Sequence, residues 1–162
     1  MHPRPSPNHL SSELLILVGK IAIQSAYVDL LLGELLGGLQ GVTGADRAKT
    51  IHILDSRRKT QESEELIKAK FTDPERTTVL ATVKKAGDLL ADRNLVLHGI
   101  IAYRDSNLSD PLYIAFRGKH VGKDMPFSKD TLEPIFTDLD VVCRELSAVC
   151  SKHGYTATEP SP

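Results

Sequence analysis

The sequence predicts a mainly α protein with one small β-hairpin between its last two helices. Long segments repeat apolar residues at the 3.6-residue period of a helix, and Asp, Pro and Gly stand where such segments begin and end. Two short β-branched and aromatic runs after residue 99 break that period. The chain has 162 residues, which is the usual size of one domain.

Charge and composition limit the partners that the chain can have. Twenty Lys and Arg residues against 21 Asp and Glu residues give a net charge of -1, which excludes a histone-like polycation but leaves room for a local basic site. Tryptophan is absent and aromatic residues make up 5% of the chain, so a large stacking platform for bare bases is not expected. Collagen-like, mucin-like and disulfide-framed proteins are excluded by the same composition.

The two cysteines, Cys143 and Cys150, lie seven residues apart in a predicted helix. About 10 Å then separates them along the helix axis, which is too far for a disulfide. We interpret both as small buried side chains, with a contact to a partner chain as the alternative. Nothing in this cysteine pattern indicates secretion, so a cytoplasmic location is predicted.

The two ends of the chain differ in composition from its body. Residues 1–8 are rich in His and Pro, lack the apolar core of a signal peptide and are predicted to be disordered. Residues 9–153 are predicted to form a single helical domain, and residues 154–162 a flexible tail. Charged residues interrupt the most apolar stretch, Leu10 to Leu39, so no membrane span is predicted.

The first predicted helix runs from about Asn8 to Gln40. Asn8 or Ser11 can cap its start, and the glycines that follow Leu36 can stop it. Apolar residues cover most of its circumference, which requires burial on several sides. Two arrangements satisfy this requirement: a central helix that is wrapped by its own chain, or a helix in the interface of a dimer.

A second helical region is predicted from about Ala45 to Phe71, after a cap at Thr43 to Asp46. Its middle part, Asp55 to Glu65, is wholly polar, and we interpret this part as a solvated helix face or as a break between two helices. The basic cluster Arg57-Arg58-Lys59 is expected to be solvated, with a phosphate contact as the alternative.

A third helix is predicted from Asp73-Pro74, which is a good helix start, to His98, with Gly99 as its C-cap. Its apolar residues repeat at steps of three, four and seven, as one helix face requires. They are Val79, Leu80, Val83, Ala86, Leu90 and Leu97.

The predicted hairpin follows at once. Its strands are Ile100 to Arg104 and Leu112 to Phe116, joined by a segment rich in turn residues. A basic loop that contains two glycines comes next, and its basic side chains are predicted to bind phosphate groups. These residues are Arg117, Lys119, His120 and Lys123.

The last predicted helix begins at a capping box, Asp130 to Glu133, with Pro134 still in the first turn. It runs to about Lys152, and Gly154 ends it.

Three polar side chains, Arg93, Asn94 and His98, stand at the end of the third predicted helix. Asn94 and His98 are four residues apart and Arg93 follows Ala86 at a step of seven, which places all three along the edge of the apolar face. Burying each of them without a partner would cost on the order of 1–3 kcal/mol. We therefore expect hydrogen bonds, a second chain or a ligand to satisfy them.

Arginine and histidine together suit phosphate chemistry. Arg93 offers a permanently charged fork to phosphate oxygens, His98 can exchange a proton near neutral pH, and Asn94 can orient either of them. RNA cleavage needs no metal when a base activates the 2′-hydroxyl and a cation stabilises the charge that develops at phosphorus. Other metal-free reactions fit the same residues, and this logic alone selects none of them.

The spacing of the motif favours a site that two chains share. Residues five apart on an ideal helix differ by about 140° in direction and about 7.5 Å in height, so Arg93 and His98 of one chain diverge. Two such helices that face each other around a twofold axis clamp one phosphate more easily. His98 lies at the helix C-terminus, where the dipole disfavours an anion, and Arg93 has to outweigh that effect.

The pattern Arg93-Asn94-x-x-x-His98 on a long helix resembles the motif of the HEPN family, the higher-eukaryote and prokaryote nucleotide-binding helical domain. The resemblance covers about residues 11–99 and 131–152, and makes the hairpin and basic loop, about 100–127, an insertion. It implies an up-and-down helical bundle and a homodimer with both motifs at a shared cleft. It often implies metal-independent endoribonuclease activity as well, although some members have lost catalysis. Many members are toxins or act in phage defence.

The leading prediction is a HEPN-like RNA-binding protein and metal-independent endoribonuclease that acts as a homodimer, with Arg93, Asn94 and His98 as catalytic residues. His98 is the general base or acid, and Arg93 stabilises the transition state. No P-loop, dinucleotide-binding motif or zinc-spaced cluster is found in the sequence, so no cofactor and no metal are predicted. The alternative is a catalytically inactive dimeric module that binds a protein or a nucleotide, as an antitoxin or a scaffold does.

Overall fold

The computed structural model describes residues 10–103, 112–115 and 125–155. Five helices occur in the order α1 (Ser12–Gln40), α2 (Gly44–His52), α3 (Ser56–Lys70), α4 (Glu75–His98) and α5 (Lys129–His153). Three short strands stand between α4 and α5 in the chain: β1 (Ile100–Tyr103), β2 (Leu112–Ala115) and β3 (Met125–Pro126). The predicted mainly α class is confirmed, and the helices form a bundle.

The chain divides into two compact units. The first unit is made of residues 1–23 and 91–138, and the second of residues 24–90 and 139–162. Helices α1, α4 and α5 each contribute residues to both units. The single domain over residues 9–153 stays a prediction.

The first unit contains the sheet. β1 pairs antiparallel with β2, so that Ile101 lies opposite Ile114, and β2 pairs antiparallel with β3. Ile114 is fully buried and Phe127 nearly so. Sequence analysis missed β3 because a strand of two residues carries no alternating pattern. Residues 104–111 and 116–124, where the predicted turn and basic loop fall, lie outside the described residues.

The second unit has the larger share of buried apolar side chains. Every one of the five helices contributes to it, at the three- and four-residue spacing of a helix face. The fully buried apolar residues of this unit are Val28, Leu32, Leu35, Leu36, Leu39, Ile67, Val83, Ala86, Leu139, Val142, Leu146 and Cys150.

Helix α1 has the ends that its local sequence predicts. The amide of Leu15 donates to the Ser11 carbonyl at 3.1 Å, which selects Ser11 over Asn8 as the start. At the other end, Gly41 adopts φ +69°, which only glycine adopts at little cost. The amide of Val42 then reaches the Gly37 carbonyl at 3.2 Å, and this bond closes the helix.

The second predicted helical region is two helices, because α2 ends at His52 and α3 begins at Ser56. The side chain of Asp55 accepts a hydrogen bond from the Arg58 amide at 2.9 Å and so caps α3. The break between the two helices lies at residues 53–55, so only Asp55 of the polar run falls in it, and Ser56 to Glu65 belong to α3.

Helix α5 begins earlier than the predicted capping box. The carbonyl of Ser128 accepts hydrogen bonds from the amides of Thr131 at 3.2 Å and Leu132 at 3.0 Å. Because Ser128 precedes the helix, Pro134 lies in the second turn, not in the first. The predicted end is correct, since Gly154 adopts φ +66° directly after His153.

The cysteines behave as small interior side chains among the described residues. Cys150 is fully buried, and its thiol lies 3.7 Å from the Leu31 carbonyl. Burial raises the pKa of Cys150 to about 12, so its thiolate is scarce at neutral pH. Burial also raises the pKa of Cys143, which is half-buried.

The C-terminal end of α5 is held by a small aromatic cluster. The ring of His153 stacks on Tyr155, with 5.4 Å between centroids, and meets Phe71 edge-on at 4.8 Å. Arg47 pairs with Glu34 and also donates to the carbonyl of Tyr155. The Tyr155 ring occupies the space that a side chain at Gly38 of α1 would need.

We expect Gly38→Ala to destabilise the protein by about 1–3 kcal/mol, because the added methyl group overlaps the Tyr155 ring. Thermal unfolding followed by circular dichroism measures the change. In a Tyr155→Gly background, which also removes the Tyr155 Cβ that would lie 2.6 Å from the added methyl group, the same substitution should be neutral or stabilising, since alanine forms helix better than glycine. An equal cost in both backgrounds would show that the ring is not its cause.

Candidate functional site

Helix α4 carries Arg93 on its buried stripe. Ala86 and Leu89 lie seven and four residues before Arg93, and Val96 lies three residues after it. All three residues are at most 7% exposed. Residues at these spacings share one helix face. The side chain of Arg93 is therefore half-buried, in a line otherwise occupied by apolar residues.

The Nε atom of Arg93 is buried and has no hydrogen-bond partner in the described part of the chain. The guanidinium group is permanently charged, and an unsatisfied buried donor typically costs about 1–3 kcal/mol. Buried polar atoms without a partner are rare in folded proteins, and each one calls for an explanation. A ligand oxygen or an acceptor on a second chain would supply the missing bond.

Asn94 and His98 are exposed on α4, so the expectation that they are buried along the edge of the apolar face is wrong. His98 follows Lys84 and Ala91 at steps of seven, and both of those residues are exposed as well. The turn of about 100° per residue carries these positions away from the stripe that holds Arg93. The buried face of α4 therefore covers a smaller part of the helix circumference than the spacing of its apolar residues predicts.

The end of α4 sets the electrostatics around His98. The amide of Gly99 donates to the Leu95 carbonyl at 2.9 Å, and β1 begins at the next residue. His98 thus lies in the last helical turn, where open carbonyl groups present partial negative charge. This end of the helix disfavours a phosphate, and the guanidinium of Arg93 is the cation that has to hold one there.

The structure places Arg93 and His98 at one helix end but on different faces. One protomer therefore does not present both groups to a single phosphate along the surface of α4 alone. A second copy that brings its own His98 or Arg93 to the first copy removes this difficulty. That shared arrangement stays a prediction.

The predicted phosphate-binding residues of the basic loop, Arg117, Lys119, His120 and Lys123, lie outside the described residues. The start of α5 carries the opposite charge. An open depression of about 420 Å³ is lined there by Asp130, Glu133 and Asp138, with Pro134 and Thr137. Carboxylates repel phosphate, so we do not expect RNA to bind at this depression.

An ion pair that sequence analysis missed joins α1 to α3. The ammonium group of Lys59 lies 2.6 Å from a carboxylate oxygen of Asp29 and 3.3 Å from the Asp29 carbonyl, and Ser56 donates to the other oxygen at 2.6 Å. Lys59 is only 1% exposed, so the expectation that the whole basic cluster is solvated is wrong at this residue. The signal was Asp29, a carboxylate set among apolar residues of α1, because a charge that is taken out of water needs a partner.

Helix α1 also leaves apolar side chains exposed within one chain, whereas its sequence predicts burial on several sides, by its own chain or by a second copy. Ile16 is 58% exposed, Ile23 63% and Leu30 37%. Together with Ser12, Gly19 and Ala26, which are exposed too, they form one line along the helix, which we call the α1 row. Among the described residues, α1 is the one helix long and apolar enough to cross a membrane, and 22% of its most apolar stretch is buried.

No group of three or more His, Cys, Asp or Glu side chains is placed to hold a metal ion in the described part of the chain. Comparison with protein-family models, with curated proteins and with solved structures finds no match to this sequence or fold.

Proposed function

We propose that this protein is a HEPN-like RNA-binding protein that cleaves RNA without a metal, through Arg93 and His98, with Asn94 beside them. The observation that carries the proposal is the buried Nε of Arg93, which has no hydrogen-bond partner among residues 10–103, 112–115 and 125–155 and lies five residues before the exposed ring of His98. A permanently charged donor on a buried stripe is suited to bind an anionic ligand.

The same proposal includes the helical bundle with an inserted sheet that the HEPN resemblance implies. An up-and-down bundle with an inserted sheet requires strands between the last two helices, and β1, β2 and β3 stand between α4 and α5 in the chain. The proposal includes a homodimer, a cytoplasmic location and a role as a toxin or as the partner of one.

The proposed reaction is an internal transfer at the phosphodiester. His98 takes the proton of the 2′-hydroxyl, whose oxygen then forms a bond to phosphorus, while the bond from phosphorus to the 5′-oxygen breaks. The leaving oxygen takes a proton from a protonated His98 or from water, which leaves a 2′,3′-cyclic phosphate and a 5′-hydroxyl. Arg93 stabilises the charge that develops on the phosphoryl oxygens.

Incubating the full-length chain with a mixed-sequence RNA in excess EDTA tests this proposal. We expect cleavage to persist in the chelator and the products to carry 2′,3′-cyclic phosphate ends. Binding of the RNA should weaken steeply as salt is raised, because phosphate contacts release counterions. RNA that stays intact in the chelator would defeat the nuclease proposal, whether or not it is cleaved when the chelator is left out.

A second candidate function is a dimeric interaction module without catalysis, as in an antitoxin or a scaffold. The exposed apolar residues of the α1 row favour it, because such rows occur at protein interfaces. The net charge of -1 agrees with a protein partner as well. This candidate is preferred if the chain assembles with itself yet shows no salt-sensitive RNA affinity.

A further inference from the structure

The α1 row has the spacing of a helix that pairs with another helix. Its members follow one another at steps of four, three, four, three and four, from Ser12 to Leu30, which is the a and d pattern of a heptad repeat. The row spans about 27 Å at 1.5 Å per residue. All six residues are exposed.

Large and small residues alternate along the α1 row. The three a positions carry Ile16, Ile23 and Leu30, and the three d positions carry Ser12, Gly19 and Ala26. A Cβ atom added at Gly19 would meet nothing within 4 Å, so the space beside it is open. The small residues thus leave hollows between the large ones.

We propose that the α1 row is the surface through which two copies of this chain pair, with the two α1 helices antiparallel. This inference deepens the proposed function by naming the dimer surface, and it does not depend on catalysis.

The antiparallel pairing follows from which residues meet. In antiparallel helix pairs, a positions of one helix face d positions of the other. With the twofold axis at the level of residue 21, Ile16 faces Ala26 of the second copy, Ile23 faces Gly19, and Leu30 faces Ser12. Every layer then sets a large side chain against a small one, as close packing requires.

The alternatives fit the α1 row less well. A parallel pair would set Gly19 against Gly19 and Ala26 against Ala26, and so would leave voids in alternate layers. A membrane span would have to carry Asp29 and its buried partner Lys59 into lipid. An antiparallel second copy fits the α1 row without such voids and without charges in lipid.

Lys20 is the unfavourable element of the pairing. It flanks the α1 row at an e position, and in the antiparallel pair the two copies of Lys20 lie close to the axis and repel each other. Its ammonium group lies 5.7 Å from the centroid of the Phe136 ring of its own chain. Lys20→Gln should therefore tighten the dimer.

Sedimentation equilibrium of the full chain over a range of concentrations, without RNA, tests the pairing. We expect a dimer whose dissociation constant rises at least roughly tenfold in Gly19→Leu. The reason is that residue 19 of each copy packs against Ile23 of the other, so a leucine there is too large in two layers of every dimer. Ile23→Glu should dissociate it as well. Ile53→Glu is the matched control, since Ile53 is 73% exposed but lies outside the row, and it should leave the dimer unchanged.

A swapped variant separates loss of pairing from loss of folding. Gly19→Ile combined with Ile23→Ala restores a large residue against a small one in both central layers, and should recover the dimer that Gly19→Leu loses. A monomeric wild type, or a dimer that survives both Gly19→Leu and Ile23→Glu, would overturn the proposal. So would flotation of the wild type with phospholipid vesicles together with a monomeric state in their absence.

The assembly measurement and the RNA assay fail independently. A dimer without chelator-resistant cleavage keeps the α1 pairing and removes the nuclease proposal. Cleavage by a monomeric chain removes the α1 pairing and keeps the Arg93 and His98 site.

Discussion

Arg93→Ala and His98→Ala are each expected to lower chelator-resistant RNA cleavage by about 10²–10⁴-fold, the usual contribution of a general base or a charge-stabilising group. Initial rates on one labelled RNA measure the loss. Asn94→Ala should have a smaller effect, because an orienting group acts through its neighbours. Neither main variant should unfold the chain, since His98 is exposed and Arg93→Ala removes a buried donor that no described residue satisfies.

Matched controls exist on exposed helix faces. His52→Ala and Arg57→Ala remove the same side-chain types from exposed positions of α2 and α3, and both should cleave RNA as the wild type does. Rates of Arg93→Ala and His98→Ala that equal those of these controls would remove both residues from the site.

A mixture of the two inactive variants tests whether the site is shared. If each site takes Arg93 from one chain and His98 from the other, a mixed dimer of Arg93→Ala and His98→Ala retains one intact site. Random exchange of subunits should then restore about a quarter of the wild-type rate. A mixture that stays inactive after exchange would show that both residues act within one protomer.

Asp29→Ala is expected to lower the free energy of unfolding by about 3–5 kcal/mol, because it leaves the ammonium group of Lys59 buried without its counter-charge. Urea denaturation measures the loss. Arg58→Ala is the matched control on the same helix. Its side chain is 63% exposed and pairs with Glu62 on the surface, so we expect no measurable loss of stability.

Replacing both members of the buried pair separates charge from packing. Asp29→Leu with Lys59→Met removes both charges and keeps apolar volume, and it should recover most of the stability that Asp29→Ala loses. If the double variant is as unstable as Asp29→Ala, the loss comes from packing around α1 and α3 and not from the unpaired ammonium group.

The helix ends were predictable because local signals set them. Gly41 and Gly154 end α1 and α5 at positive φ, and Asp55 caps α3 through its own side chain. Each of these effects needs only a few residues of neighbouring backbone. Where two good caps compete, as at Ser128 and Asp130, sequence analysis chose the wrong one, because the difference between such caps is small.

The candidate site was predictable in its residues but not in its geometry. The motif Arg93-Asn94-x-x-x-His98 is visible in the sequence, whereas its division into a half-buried arginine and an exposed histidine is not. That division depends on which stripe of α4 is covered, and the covering side chains come from residues distant in the chain.

The sequence by itself determined the mainly α class, the position of most helix ends and the candidate Arg and His pair, since spacing and caps act within one or two turns. Only the tertiary structure decided that Lys59 is buried against Asp29 and that His98 and the α1 row face outward. The reason is physical: a helix forms from local hydrogen bonds, but the burial of each face depends on contacts between segments far apart in sequence.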